Sequence, residues 1–388
     1  MLNKLQKLAY DSVLNGPDRI TIIIGPGGVG KSFCAAQTAE GYPGSVLVCA
    51  TTNKAASVLR GSTGMDARTI QSVMGFKMKR VGYSHKLVQE REPEVADLVI
   101  VDEISMLPQS VYSALLQSDA KKILFLGDPV QLPAIGAGVD VASIPGRHIE
   151  LTEQMRQSGL DVQTIQYLKD LRHSIENNIT YPKIPKTKDL IVFDDFADFA
   201  DLYNRETGTK KIISYRNASV DAYNRRLSGG AELFSQGDKV TVNSPIGDAR
   251  NGDTLSVNMA TEYANRYLVE LDNGEEVIHW KSKVARDAVL RPLAEAKDWN
   301  GYWKIKDTSV DLKHLYACTA HKSQGSTYGT VYLDGTDIVN ASIPNPYGHA
   351  ISEELMMRLS YVALSRMRHK VVIFKGTTRR YSKLKAVK

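Results

Sequence analysis

The chain has 388 residues, more than one hydrophobic core usually serves, so two or more packed units are expected. Hydrophobic residues at 43% and charged residues at 24% are ordinary for a water-exposed fold, and no apolar run is long enough to span a bilayer. The formal net charge of +6 permits an anionic partner without demanding one, and Cys34, Cys49 and Cys318 lack metal-ligand spacing and read as reduced thiols.

The N-terminal MLNKLQKLAYDSVL spaces its apolar residues as an amphipathic helix and lacks the continuous apolar core of a secretion signal. A cytoplasmic location is therefore expected. Short β-rich runs then alternate with helical stretches: RITIII, SVLVCA, DLVIVDE, KKILFLGD and HIELT. This is the pattern of an α/β fold, a parallel sheet covered by helices. FKMKRVGYSHKLVQEREPE at 76–94 interrupts it, with basic flanks around Gly82-Tyr83; a projecting hairpin and a disordered loop both fit. A helical segment near 161–177 and the Pro/Lys-rich TYPKIPKTKD mark a boundary. The alternation resumes with LIVFDD, KKIISY and the helix-like ASVDAYNRRL, and later with TVYLDG and KVVIFKG. Between these pieces, near 236–312, GDKVTVNSP, DTLSVNM and RYLVELDNGEEVIHW alternate as strands, with Asn273-Gly274 as a hairpin turn, and predict an inserted small β-barrel.

GPGGVGKS follows the first apolar strand and precedes the helix-like FCAAQTAE. In that context Gly-x4-Gly-Lys-Ser is a phosphate-binding loop. The backbone of Gly25, Pro26, Gly27, Gly28, Val29 and Gly30 curls around phosphate oxygens, and the helix N-terminus adds positive potential. Lys31 reaches the β- and γ-phosphates of a nucleoside triphosphate, and Ser32 coordinates Mg2+. LVIVDEIS places Asp102 and Glu103 at the end of an apolar strand: Asp102 suits the metal and Glu103 suits a general base for water, which together argue for hydrolysis. LGDPVQLP offers Gln131 as a γ-phosphate sensor and LTEQMRQS offers Arg156 as a cationic contact. Each alone has an ordinary surface reading, but both follow strands of one inferred sheet, and such sheets gather ligands at their carboxyl ends.

Taken in order, GPGGVGKS, ATTNKAA, TIQS, VDEIS, GDPVQLP, LTEQMR, CTAHKSQGST and YVALSRMR resemble the motif series of superfamily 1B helicases, specifically the RecD-like and phage Dda-like enzymes. The series runs to about residue 368, so it covers nearly the whole chain. With its first motif close to the N-terminus, the chain is expected to be similar to the compact phage-type members. The resemblance implies two RecA-like P-loop domains with parallel sheets. The first spans 1–160 with the 76–94 hairpin insertion, and the second spans 161–235 and 313–388 with an SH3-like β-barrel insertion at 236–312.

The resemblance also implies residue roles. Gln6 stands where the family reads adenine, an exposed helix residue being the alternative. Arg366 matches the arginine finger that the second domain extends to the γ-phosphate, which makes lobe closure depend on nucleotide state. Thr52, Asn53, Thr69 and Gln71 from the first lobe, with Thr319, His321 and Lys322 from the second, line a single-strand groove. Hydroxyls and amides suit contacts to a nucleic-acid backbone without sequence preference. His321 also has a purely structural reading. Gln324 and Gly325 couple that loop to the nucleotide. Phe76, Tyr83, Tyr215 and Trp280 all compete for base stacking, and Tyr83 at the hairpin tip is the candidate strand-separating pin.

The implied activity is that of an ATP-dependent DNA helicase moving 5′ to 3′ on single strands and opening forked duplex. It would use ATP and Mg2+, act as a monomer away from membranes, and have replication or recombination proteins as further partners. A single-strand translocase, an RNA-directed helicase and a nucleotide-switched recruitment protein remain alternatives.

Overall fold

In a computed structural model of the chain, the described residues are 2–81, 84–134, 136, 138–155, 159–228, 234–242, 246–249, 253–344 and 348–376. Contacts divide them into two compact units, Met1–Tyr215 with Ala320–Lys388, and Arg216–Thr319.

The first unit begins with the helix Lys4–Asn15, opened by a capping box in which Asn3 and Gln6 each accept the other's backbone N–H. Six parallel strands follow, side by side in the order Ala67–Thr69, Val46–Ala50, Leu98–Asp102, Lys122–Gly127, Ile20–Ile24 and Arg147–Glu150. The four inner strands are nearly continuous apolar runs, which reflects burial on both faces. Ile23, Val48, Ile100 and Leu124 pack on one face with Ala9, Val13, Ala35 and Leu59 from the helices. Ile22, Val99, Val101 and Phe125, one residue out of phase, pack on the other with Val111 and Leu115. All six strands therefore deliver their carboxyl ends to one edge.

Of the two expectations for 76–94, the structure adopts the hairpin: Phe76–Val81 pairs antiparallel with Ser84–Gln89. Its Gly82-Tyr83 tip, and with it the pin candidate, lies outside the described residues. A second parallel set follows, with Lys210–Ser214, Tyr328–Asp334, Met367–Phe374 and Leu190–Phe193 adjacent in that order. Aromatic rings fill one side of it, Tyr332 meeting Phe199 and Tyr203 edge-on at 5.4 and 4.9 Å.

The second unit holds the helix Asn217–Leu227 and five antiparallel strands in the order Glu276–Trp280, Arg266–Leu271, Thr254–Glu262, Lys239–Val242 and Leu312–His314. The two edges meet: Ile278 donates to Thr308 O at 2.8 Å and accepts from Val310 N at 2.9 Å, which closes the sheet around Val240, Val257, Val269 and Leu271. Gly274 turns the hairpin at φ +83°, a conformation that glycine adopts without strain. Within 236–312 the sequence reading misses two helices, Lys283–Glu295 and Trp299–Asp307. Leu290 is the one buried residue of the first and the second buries none, and Pro292 in the one and Gly301 in the other argue against a helix in the sequence. Among the described residues no helix is long and apolar enough to cross a membrane.

Candidate active site

The phosphate loop leaves the strand Ile20–Ile24 through Gly25, Gly28 and Gly30, all with positive φ, and Gly30 caps the helix Lys31–Gly41. Side chains would not fit: a Cβ on Gly25 would lie 2.3 Å from Leu151 O, and one on Gly30 would lie 2.5 Å from Gln6 Nε2. Neighbours hold the loop open. Gln6 Nε2 donates to Val29 O at 3.2 Å, Gln154 Nε2 to Gly27 O at 3.0 Å, and Met155 N to Gly28 O at 3.0 Å. Lys31 Nζ donates to Gly25 O and Pro26 O at 2.7 and 2.9 Å. Burial lowers the pKa of this ammonium, and the fields of Asp128, Glu103 and Asp102 oppose the shift.

Asp102 ends the adjacent strand. Its Oδ2 lies 3.3 Å from Ser32 Oγ, and its Oδ1 accepts from Glu103 N at 2.7 Å. Glu103 holds a left-handed conformation at φ 57°, a strained position for a non-glycine residue. Burial pushes both carboxyls above the usual range; Asp102 pushes Glu103 further, and Arg366 and Lys31 pull both back. A hydroxyl beside a carboxylate is a hard-oxygen pair that suits Mg2+, an ion whose remaining ligands are commonly phosphate oxygens and water. Among the described residues, no three His, Cys, Asp or Glu side chains gather to form an all-protein metal cage.

Lys31, Ser32, Asp102 and Glu103 line a cleft of about 450 Å3 together with Gly325, Thr327, Arg366 and Arg368. Arg366 is 3% exposed; its Nε donates to Val362 O at 3.1 Å and its Nη2 to Ser365 Oγ at 3.0 Å. A Cβ on Gly27 would stand 3.6 Å from Arg366 Nη2, so the guanidinium faces the phosphate loop. Gln131 is buried, and its Oε1 accepts from Gln324 Nε2 at 3.5 Å. The next residue, Gly325, packs on Ala55 in the first turn of the helix Asn53–Thr63. The Gln324-Gly325 step thus touches both Gln131 and the helix of the ATTNKAA motif.

Gln154, Thr327 and Arg368 join the site although the sequence reading singled out none of them. All three sit inside quoted motifs, where position in the motif was the available signal. Arg156 lies outside the described residues.

The strand-groove candidates are less concentrated. Thr52 Oγ1 accepts from Ala55 N at 3.1 Å and Thr69 Oγ1 from Ser72 N at 3.4 Å, so both are helix caps, and Asn53 is the first helical residue after Thr52. A capping hydroxyl uses a lone pair and keeps its hydrogen for another acceptor. Gln71 Nε2 donates to Thr51 O at 3.4 Å, while its buried Oε1 has no hydrogen-bond partner among the described residues. His321 lies 6.3 Å from Tyr215, ring to ring, with its pKa lowered by burial, and Lys322 is exposed. Thr319 is buried in the second unit. Phe76 packs in the core, which removes it from the stacking candidates, and Trp280 donates its indole N–H to Ser309 Oγ at 2.9 Å.

Fold and site together define a P-loop nucleotide-binding protein in which groups from two parallel sheets face one cleft. Comparison with known proteins narrows the class. Residues 1–180 match the family described as AAA domain. The ATP-dependent RecD2 DNA helicase of Deinococcus radiodurans is 30% identical over 329 residues, which cover 81% of this chain and 42% of that protein. This chain therefore spans less than half the length of that relative. The ATP-dependent DNA helicase dda of Enterobacteria phage T4 is 24% identical over an alignment 454 positions long, gaps included, covering 95% of this chain and 98% of that one. The Pif1 helicase from Candida albicans shares the fold with a TM-score of 0.56 at 18% identity, covering 100% of both chains. These findings bear out the resemblance to superfamily 1B helicases of the RecD-like and Dda-like kind.

Proposed function

We propose that the protein is an ATP-dependent DNA helicase that moves 5′ to 3′ along a single strand and separates duplex, with RecA-like lobes at 1–160 and at 161–235 with 313–388. The observation that carries this reading is the position of Arg366, buried and turned toward Gly27 in the cleft that Lys31 also lines. A guanidinium there meets the γ-phosphate only when both sides of the cleft are in place, so hydrolysis and closure depend on each other.

In this reading Lys31 and Arg366 balance the phosphate charge, Gln131 senses the γ-phosphate and Glu103 takes the proton of the attacking water. Mg2+, when held by Ser32 and Asp102, adds positive charge beside the phosphates. Gln6 keeps one amide hydrogen and one oxygen lone pair beyond its bonds to Val29 O and Asn3 N, the donor–acceptor set that matches adenine N7 and N6. The Gln324-Gly325 contact with Gln131 and Ala55 passes the state of the nucleotide to the capped helices that carry Thr52, Asn53, Thr69 and Gln71. Parting one base-pair step costs about 1.4 kcal/mol of stacking, within the several kcal/mol that differential binding across a closing cleft supplies. The compact sheet of the second unit serves as the SH3-like insertion at 236–312. A monomer suffices, since each group named is in this chain.

The test is ATPase activity titrated with single-stranded DNA, then unwinding of DNA and RNA forks that carry only a 5′ or only a 3′ tail. Strong stimulation and unwinding of 5′-tailed DNA forks are expected. An ATPase indifferent to DNA overturns the proposal.

A further inference from the structure

We propose that Asp128, Arg172, Arg358 and Tyr361 form a latch that fixes the Gln131 loop to the helix preceding Arg366, so that sensor and finger are positioned as one body. The inference rests on the proposed function and names positioning residues for its hydrolysis step.

Asp128 follows the strand Lys122–Gly127, three residues before Gln131, and is 0% exposed. Its Oδ1 accepts from Arg172 Nη1 at 2.6 Å and its Oδ2 from the Tyr361 hydroxyl at 3.0 Å. Arg172 Nη1 also reaches the Tyr361 hydroxyl at 3.3 Å, and its Nε pairs with Glu176 at 2.9 Å. The same aspartate shapes its own loop: Oδ1 accepts from Val130 N at 3.1 Å and the backbone carbonyl from Gln131 N at 3.0 Å.

The second grip comes from the same helix, Glu353–Leu364. Arg358 lies one turn before Tyr361 and so shares its face. Its Nη1 donates to Pro129 O at 2.7 Å and to Gln131 O at 2.8 Å, while Glu354 steadies its Nε at 2.8 Å. Asp128, Pro129 and Gln131 are thus held by a helix whose chain reaches Arg366 two residues after its end.

A buried ion pair adds little net stability compared with apolar packing, because desolvation offsets most of the Coulomb attraction, but it fixes direction strictly. Here the direction fixed is that of the Gln131 backbone. With the loop pinned, the Gln131 amide and the Arg366 guanidinium keep a set separation. A γ-phosphate that engages one then finds the other already placed, which is the preorganisation that electrostatic catalysis requires. Asp128 also acts on the site through its charge, the largest of the carboxylate influences that oppose the lowering of the Lys31 pKa by burial.

The decisive variant is Tyr361→Phe, which deletes one hydroxyl and keeps the ring. It is combined with Gln131→Ala in a double-mutant cycle read as kcat, KM for ATP and melting temperature. Tyr361→Phe is expected to lower DNA-stimulated kcat by about tenfold, with KM and melting temperature near wild type. In the Gln131→Ala background it is expected to have almost no further effect, because the group it positions is gone. Wild-type kcat in Tyr361→Phe, or an effect that multiplies with that of Gln131→Ala, overturns the latch. Arg358→Ala serves in the same cycle should Tyr361→Phe fail to fold. A wild-type ATPase that ignores DNA sinks the helicase reading instead, and the cycle run on basal turnover then still decides the latch.

Discussion

Asp102, Glu103, Gln131 and Arg366 are all buried, each held by a named neighbour, whereas Thr52, Asn53, Thr69 and His321 are half-buried and Lys322 is exposed. In the cleft Asp102, Gln131 and Arg366 bond to Ser32, to Gln324 and to the Val362 carbonyl, and the backbone N–H of Glu103 is held by Asp102. In the groove candidates the bonds serve the fold first, as caps on the helices Asn53–Thr63 and Ile70–Val73. On the proposed function the difference follows from two tasks. Charge developing on a phosphate rewards donors fixed beforehand in a low-dielectric site. A strand gripped and released without regard to sequence needs only hydrogen-bond hydrogens at the surface, and helix ends offer them at no further structural cost.

The largest effects should therefore come from the cleft. Lys31→Ala and Arg366→Ala are each expected to reduce DNA-stimulated turnover by about 10³-fold or more, with circular dichroism and melting temperature close to wild type. Steady-state ATPase at saturating DNA measures this; a loss below tenfold for Arg366→Ala removes the finger.

Glu103→Gln comes next and separates activity from stability. As general base, Glu103 is worth about 10²- to 10⁴-fold in kcat, so the variant should lose that much. Stability should move the other way. Burial and Asp102 raise the Glu103 pKa above its ordinary 4.5, so its contribution to stability is fully present below that value and is lost as pH rises through the raised one. Glutamine has no proton to lose. The variant should melt higher than wild type at neutral pH, with the gap closing on acidification toward pH 4.5. Wild-type activity should fall on acidification at a higher pH than an unperturbed carboxylate would give. Equal melting curves at pH 5 and pH 8, tested at about those values, would contradict the assignment.

The hairpin gives an effect on one activity only. Phe76 is part of the core and Glu94 pairs with Arg68 at 2.5 Å, so removing all of 76–94 would also damage the first unit. Replacing 79–86 by a two-residue turn keeps the pairing of Met78 with Leu87. Translocation and DNA-stimulated ATPase are expected to survive this change while unwinding drops at least about tenfold. Unwinding at the wild-type rate would show that the hairpin is not the pin.

How far the sequence reveals each region follows the same division. GPGGVGKS, Asp102 and Glu103 were readable because backbone and metal chemistry demand fixed residue types at fixed spacing. The strands were readable because burial on both faces leaves near-continuous apolar runs, and Asn273-Gly274 because its turn demands positive φ. The Asp128–Arg172–Tyr361 cluster was not readable, since it joins residues 44 and 233 positions apart that share no local pattern. The helices Lys283–Glu295 and Trp299–Asp307 were hidden for a different reason. One contains Pro292 and the other Gly301, residues that argue against helix, and almost nothing on either is buried.

The smallest expected effect tests whether capping and strand contact are separable at Thr52. Aspartate caps a helix as well as threonine does, and negative charge at a helix N-terminus is favourable. It presents no hydrogen, however, and repels phosphate. Thr52→Asp should therefore melt like wild type yet bind single-stranded DNA more weakly, whereas Thr52→Ala should lose about 1 kcal/mol of stability through the missing cap. Because Thr52 is a single contact among several, the loss of affinity for Thr52→Asp should be modest, within about tenfold, with the nucleotide affinity unmoved. If Thr52→Asp binds DNA as tightly as wild type, the hydroxyl is a cap and nothing more, and the strand must lie away from this helix end.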